Sequence, residues 1–291
     1  MKILDEPTYK KFIVGEIERF DDRNGGFSRG TADPTFPNVK AMREKMLAKT
    51  KENIEGRTLE DVAWGFGGRT IDYTVRKTLF CREEDDVSKQ LRMSDREGRS
   101  LDFYKTSKTP EELSVIVKKV AKFFGADEVG ICELNPLWVY SHWGHFNAFF
   151  SGVANPGDTL ELSEDYNYAI MLLHATDYDI SLRTPAVNPG IDLGYSKMAF
   201  VAPSLATFIR QIGYKAIPAG NEMTLSIPMA IDAGLGDLGR NGLLITEKYG
   251  PRVRISKVLT NLPLRPDKPI DIGIHDFCDK CKKCAYQCPS G

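Results

Sequence analysis

No apolar run in this chain approaches the roughly 20 residues needed to cross a bilayer, so the sequence contains no evident membrane span. Its first residues, MKILDEPTYKKF, hold neither a hydrophobic signal core nor a twin arginine. An excess of charge of one sign is missing too. The 39 Lys and Arg stand against 40 Asp and Glu, a formal net charge of −1, which removes the electrostatic case for nucleic acid or an anionic lipid surface. Cysteine is scarce, six in 291 residues, and not spread as a secreted disulfide framework would be. What is there is ordinary: 42% apolar and 27% charged residues, the composition of a soluble globular chain long enough to bury a sizeable core as one large or two modest domains.

Four of the six cysteines sit together. Cys278, Cys281, Cys284 and Cys288, followed by Pro289, form the C-x-x-C-x-x-C-x-x-x-C-P run of bacterial-type [4Fe–4S] proteins. Iron prefers soft thiolates, and three cysteines at this pitch on a tight loop can face three corners of one cubane. A structural zinc site, the bland alternative, wants two separated cysteine pairs, and these are absent. In two-cluster ferredoxins the fourth cysteine serves a neighbouring cluster, yet no second motif follows here. Cys81 and Cys132 are isolated and read as packed thiols. His142 and His145 bracket Trp143-Gly144, but the crowd of Trp138, Tyr140, Trp143, Phe146, Phe149 and Phe150 points to the apolar wall of a pocket instead. His174 closes an apolar strand and reads as a core residue.

Residues 1 to about 105 are polar and rich in turn signals, with Val39 to Ile54 at helical spacing and a charge-dense stretch from 82 to 100. Thr109-Pro110-Glu111-Glu112 opens a confident helix with an N-cap, a first-turn proline and a capping box; Leu113, Ile116, Val117, Val120 and Phe124 keep its period, and Gly125 stops it. Strands are expected at Glu128–Cys132 and at the continuously apolar Ala169–Leu173. A second helix is expected over Ala199–Ile212, a short strand over Tyr214–Ile217, and a half-buried strand over Arg252–Thr260. Pro263 to Pro269 is the natural linker into the cysteine segment. Helices and strands mix without a regular βαβ repeat, which favours an α+β sandwich.

Gly234-Leu235-Gly236-Asp237-Leu238-Gly239 matches the dinucleotide fingerprint G-x-G-x-x-G, but the context is wrong. A short helix with a proline precedes it, Asn241-Gly242 follows as another turn, and Glu247 arrives too early for a ribose contact. The loop reads better as backbone closely approaching a bulky cofactor or another strand.

With these residues in hand, the chain resembles the reductive dehalogenases, the corrinoid and iron–sulfur enzymes of organohalide respiration. The resemblance is carried by Val14 to Asn24, Gly125 to Gly130, Trp138 to His142 and, most specifically, Ile227 to Leu264 leading into the cysteine run. It implies a nitroreductase-like α/β sandwich core at 109–264 that binds base-off cobalamin, wrapped by an irregular and helical region at 1–108. The start of a ferredoxin-like [4Fe–4S] domain follows at 265–291. The family carries two clusters, a twin-arginine export leader and a C-terminal tail; the second motif and the leader have no counterpart here, so the chain reads as part of a longer product.

Carried over residue by residue, Tyr195 matches the proton donor, Arg254 the cation beside it and Asn221 the polar residue by the substrate halogen. A phenol of ordinary pKa near 10 needs a cation within about 4–6 Å to stabilise the tyrosinate it leaves, and guanidinium keeps its charge even when buried. Gly234, Gly236, Gly239, Arg240 and Asn241 are the expected cofactor contacts. The same resemblance implies a small organohalide substrate, a respiratory electron donor, a membrane-anchor subunit on the outer face of the cytoplasmic membrane, and a homodimer as an option. The rival reading is an epoxyqueuosine reductase, which also pairs cobalamin with clusters but acts on transfer RNA, a poor match to a net charge of −1. A bare ferredoxin-type carrier would not need some 260 residues ahead of its cysteines, and an inactive dehalogenase fragment is the third reading.

Overall fold

The computed structural model describes residues 1–33, 35, 58–87, 108–183 and 189–288. The helix expected at Val39–Ile54, most of the charged stretch at 82–100, and Pro289 lie outside them.

The centre is a four-stranded antiparallel sheet in the order β2–β3–β7–β4, built from β2 (Glu128–Glu133), β3 (Tyr168–Ala175), β7 (Val253–Thr260) and β4 (Ala216–Ala219). Side chains alternate across a strand, and β3 uses both faces. Ile170 and Leu172 enter one apolar cluster with Leu113, Val117, Leu205 and Ile209, whereas Met171 and Leu173 enter another with Trp138, Tyr140, Trp143 and Met229. That double burial explains why β3 is continuously apolar. The first cluster lies under two long helices, Pro110–Phe123 and Pro189–Gln211, and the second under the aromatic segment and the short helix Ser226–Asp232. The layers make the α+β sandwich expected.

The helix Pro110–Phe123 starts as the sequence dictates. Thr109 Oγ1 accepts from Glu112 N, the Glu112 carboxylate accepts from Thr109 N, and Gly125 follows at φ +108°. Three expectations need correction. The second long helix begins at Pro189, ten residues before Ala199, so Tyr195 lies inside it. Strand β7 is buried outright from Ser256 to Thr260, Lys257 included, because helices cover both of its faces. Strand β4 starts at Ala216 and runs through Pro218 to Ala219, where a strand over Tyr214–Ile217 was expected, because Pro218 sits with its missing N–H on the open edge. The N-terminal region is partly helical, as expected: α1 (Gly26–Ala32), α2 (Leu59–Gly68) and α3 (Thr70–Leu79) are helices, and the last two pack on the Pro189–Gln211 helix.

Both outer edges of the sheet are capped at a central residue. On β2, Ile131 N donates to the Asp267 carboxylate and Ile131 O accepts from Asp267 N. On β4, Pro218 has no N–H to offer and its carbonyl accepts from Cys81 N at 2.8 Å. Residues 2–3 pair with 270–271 as a separate two-stranded ribbon beside the cysteine segment. Cys81 and Cys132 are free thiols, as expected, with Cys132 in the core.

Candidate active site

Three elements converge on Tyr195. The helix Pro189–Gln211 carries the tyrosine itself, the start of β7 delivers Arg254, and the turn after β4 presents Asn221. The Asn221 Nδ2 donates to Tyr195 Oη at 3.3 Å, and the Arg254 guanidinium lies 4.3 Å from the Tyr195 ring centroid. The three residues singled out in the sequence therefore stand together. Gly194 makes this possible: a Cβ there would come within 2.9 Å of Arg254 Cγ. The phenol is 9% exposed, and Arg254 Nε is buried with no hydrogen-bond partner.

Asn221 and Arg254 also form one end of a cavity of about 370 Å³. The rest of its lining is mostly apolar, including Phe27, Tyr140, Phe146, Leu225, Leu244 and Ile255, with Asp22, Ser28, Asn147 and Ser226 as further polar members. Tyr140 and Phe146 vindicate part of the aromatic wall; Trp138 and Trp143 are core residues instead. Tyr195 does not itself line the cavity and stands one hydrogen bond behind Asn221. Asp22, on the far wall, accepts from Gly144 N and Asn147 Nδ2, each at 2.9 Å. Burial pushes its carboxyl up, against the pull of those two donors.

Sequence reasoning missed a set of buried charges. Arg69 and Arg76, on α2's C-cap and in α3, stack on the same phenol at 4.5 and 5.2 Å from its centroid. Arg76 pairs with Asp72 (3.0 Å) and Glu222 (3.3 Å), and Arg69 with Asp72 and Asp192 (3.4 and 3.3 Å). Glu222 is fully buried, and its other oxygen accepts from Gly220 N at 2.8 Å. Burial works against the charge on Arg76, but Glu222 and Asp72 outweigh it and hold the guanidinium above its ordinary value. Burial raises the carboxyls of Asp72 and Asp192. The Thr58-x-x-Asp61 capping box that opens α2 was a legible start signal, but the glycines at 65, 67 and 68 argued against a helix.

The glycine loop is explained by the chain's own packing. A Cβ on Gly234 would collide with the Lys268 carbonyl, and one on Gly236, at φ +156°, with the Ile245 carbonyl. Gly239 abuts Asn241 and Ile245, and the Asn241 side chain accepts from Leu243 N. The loop closes a hairpin between β5 (Asp237–Leu238) and β6 (Leu244–Ile245), and no strand–loop–helix unit forms around the fingerprint. None of the five expected cofactor contacts lines the cavity. Arg240 turns to the cysteine segment: its N–H donates to Cys278 Sγ at 3.5 Å and its guanidinium pairs with Asp279 at 2.6 Å. Cys278 and Cys281 ride on the helix Ile274–Cys281, and Cys284 on Lys283–Tyr286. Four thiols are a donor set suited to iron–sulfur, but among the described residues no three metal-ligating side chains are gathered in one place. His142 lies by Ser141 and 3.9 Å from Asp21, and His174 is a core residue bonded to Ser256 Oγ at 2.8 Å.

An antiparallel sheet between helices, with a buried phenol, amide and guanidinium at one end of an apolar cavity, has close counterparts among solved structures. The catabolic reductive dehalogenase NpRdhA superposes over 99% of this chain and 37% of its own with a TM-score of 0.71 at 23% identity. A structure described as suggesting a mechanism for B12-dependent dehalogenation does so at 0.67, over the same shares. These likenesses establish the fold. In sequence, the tetrachloroethene reductive dehalogenase of Desulfitobacterium hafniense is 41% identical over 212 residues, 62% of this chain and 38% of that protein. No family profile matches. In sequence and in fold the chain is similar to the reductive dehalogenases, and it spans under two fifths of the length of the curated relative it matches.

Proposed function

We propose that this chain forms the proton-delivering half of a site that replaces halogen by hydrogen in a small neutral organohalide. The carrying observation is the Asn221–Tyr195 hydrogen bond with Arg254 against the phenol ring, beside a largely apolar cavity that Asn221 and Arg254 line. The overall change is R–X plus two electrons and a proton giving R–H and X⁻. A reduced corrinoid fed by [4Fe–4S] clusters, the cofactors the family resemblance implies, supplies the electrons. The cavity, of about 370 Å³, has room for a small organohalide beside Asn221 and Arg254.

Within that site each residue has a part. The apolar walls take the hydrocarbon and exclude water, which strengthens the electrostatics of the polar end. The Asn221 amide donates to the Tyr195 oxygen, which leaves the phenol's own proton free, and because Tyr195 stands behind Asn221 the amide must turn aside for that proton to reach a carbon in the cavity. Positive charge at the ring stabilises the phenolate that results. The free N–H of Arg254 is a ready donor to the departing halide. An RNA substrate is disfavoured by the net charge of −1 and the apolar cavity lining. The electron donor, membrane partner and export implied by the resemblance belong to the same proposal; among the described residues no helix is long and apolar enough to cross a membrane.

Tyr195→Phe in the full-length, cofactor-loaded protein tests the reading. Dehalogenation should fall at least about a hundredfold, the usual worth of a placed general acid, with cobalt and iron contents unchanged. Undiminished turnover rejects the role.

A further inference from the structure

The reacting end of the cavity holds more positive charge than proton delivery from Tyr195 and Arg254 alone would call for. Arg69, Arg76 and Arg254 surround one phenol at 4.3 to 5.2 Å from its centroid. Asp72, Asp192 and Glu222 match those three cations, and Lys257, fully buried beside Glu222 in electrostatic reach, adds a fourth. Asp22, which Glu222 also reaches, answers that fourth charge, so four cations and four carboxylates are gathered about this end of the cavity.

The arrangement also looks built to keep spare capacity. Arg76 is 2% exposed, yet its pairs with Asp72 and Glu222 are close contacts without hydrogen-bond alignment: Arg76 Nε and Nη2, Asp72 Oδ1 and Glu222 Oε1 all lack a bonded partner. Buried polar atoms are rarely left so. Through Glu222, whose second oxygen holds Gly220 N, Arg76 is joined to the turn that aims Asn221 at the phenol. Gly68 lets α2 approach the Tyr195 helix, since a Cβ there would stand 3.1 Å from Leu193 N.

We infer that the two N-terminal helices α2 and α3 are part of the reacting centre, with Arg76, aided by Arg69, as a positioning residue that holds Tyr195 and Asn221 in register. The inference rests on the function proposed for Tyr195. Deleting the Arg76 charge would strand Glu222 and Asp72 and risk the fold, so Arg76→Lys is the test: it keeps the charge and loses the planar fork. The full-length protein is labelled with 3-fluorotyrosine, the Tyr195 signal is assigned by its loss in Tyr195→Phe, and turnover is measured in both backgrounds. The expected result is a moved Tyr195 fluorine resonance in Arg76→Lys, with kcat down on the order of tenfold, KM for the halide unchanged, and no further loss when Tyr195 is already Phe. Wild-type turnover by Arg76→Lys beside an impaired Tyr195→Phe overturns the part given to Arg76 alone. So does lost turnover with an unmoved fluorine signal. Full turnover by Tyr195→Phe removes the parent reading, and this one with it.

Discussion

Lys257 offers a measurement that depends on no cofactor. Its ammonium is fully buried on β7, donating to Thr224 O at 3.2 Å and Ser226 Oγ at 2.7 Å. Burial pulls its pKa down to about 8, against the opposing pull of Glu222. In the unfolded chain the same group titrates near 10.5. Between those values the unfolded state binds the proton and the folded state does not, so stability rises with pH through this window and is lost again as pH falls through 8. At pH 7 both states are charged and the contribution is close to zero; at pH 9.5 it reaches about 2 kcal/mol. Lys257→Met, of similar length and without charge, should abolish that slope. Urea unfolding of both proteins at pH 7 and pH 9.5 checks this: the wild type should gain about 2 kcal/mol over the variant on going to the higher pH. A wild-type-minus-variant difference that stays constant with pH would show that the buried amine titrates as if in water, and the low-dielectric account of this cluster would fall.

Two further outcomes follow from the same geometry. Burial holds His174 neutral, with its pKa down to about 3, so its contribution is full above the ordinary histidine range and is lost as pH falls from about 6.5 toward 3; in His174→Asn the acid limb of the stability curve, followed by circular dichroism, should flatten by about 3 kcal/mol at pH 4. Gly236→Ala forces a side chain at φ +156° onto the Ile245 carbonyl, which should cost at least about 2 kcal/mol and lower the melting temperature by several degrees; a Tm within one degree of wild type would contradict the close approach.

The frame was legible where local chemistry decides. The Thr109 box, the apolar run of β3 and the turn after the glycine loop each act through neighbours within a few residues, and each formed as expected. What escaped depends on partners far along the chain. Lys257 reads as the polar side of a half-exposed strand until Thr224, Ser226 and Glu222 arrive to receive it. Arg69 and Arg76 lie in a region whose glycines and charges suggest surface, and only the packing of α2 and α3 on the tyrosine helix turns them inward. The N-terminal start of that helix was hidden for a similar reason, since Pro189-Gly190 signals a turn but here opens the first helical turn. Tyr195, Asn221 and Arg254 were found by resemblance; their spacing alone, 26 and 33 residues apart, carries no message.

The two capped sheet margins have a bearing on how the molecule lives among copies of itself. With Asp267 occupying the backbone of Ile131 on one side, and a proline and the Cys81 amide interrupting the other, a foreign strand meets a broken ladder at either margin. A chain with exposed aromatics such as Phe27, Trp64 and Phe149 thus offers its neighbours apolar contact without an easy strand to add to its central sheet.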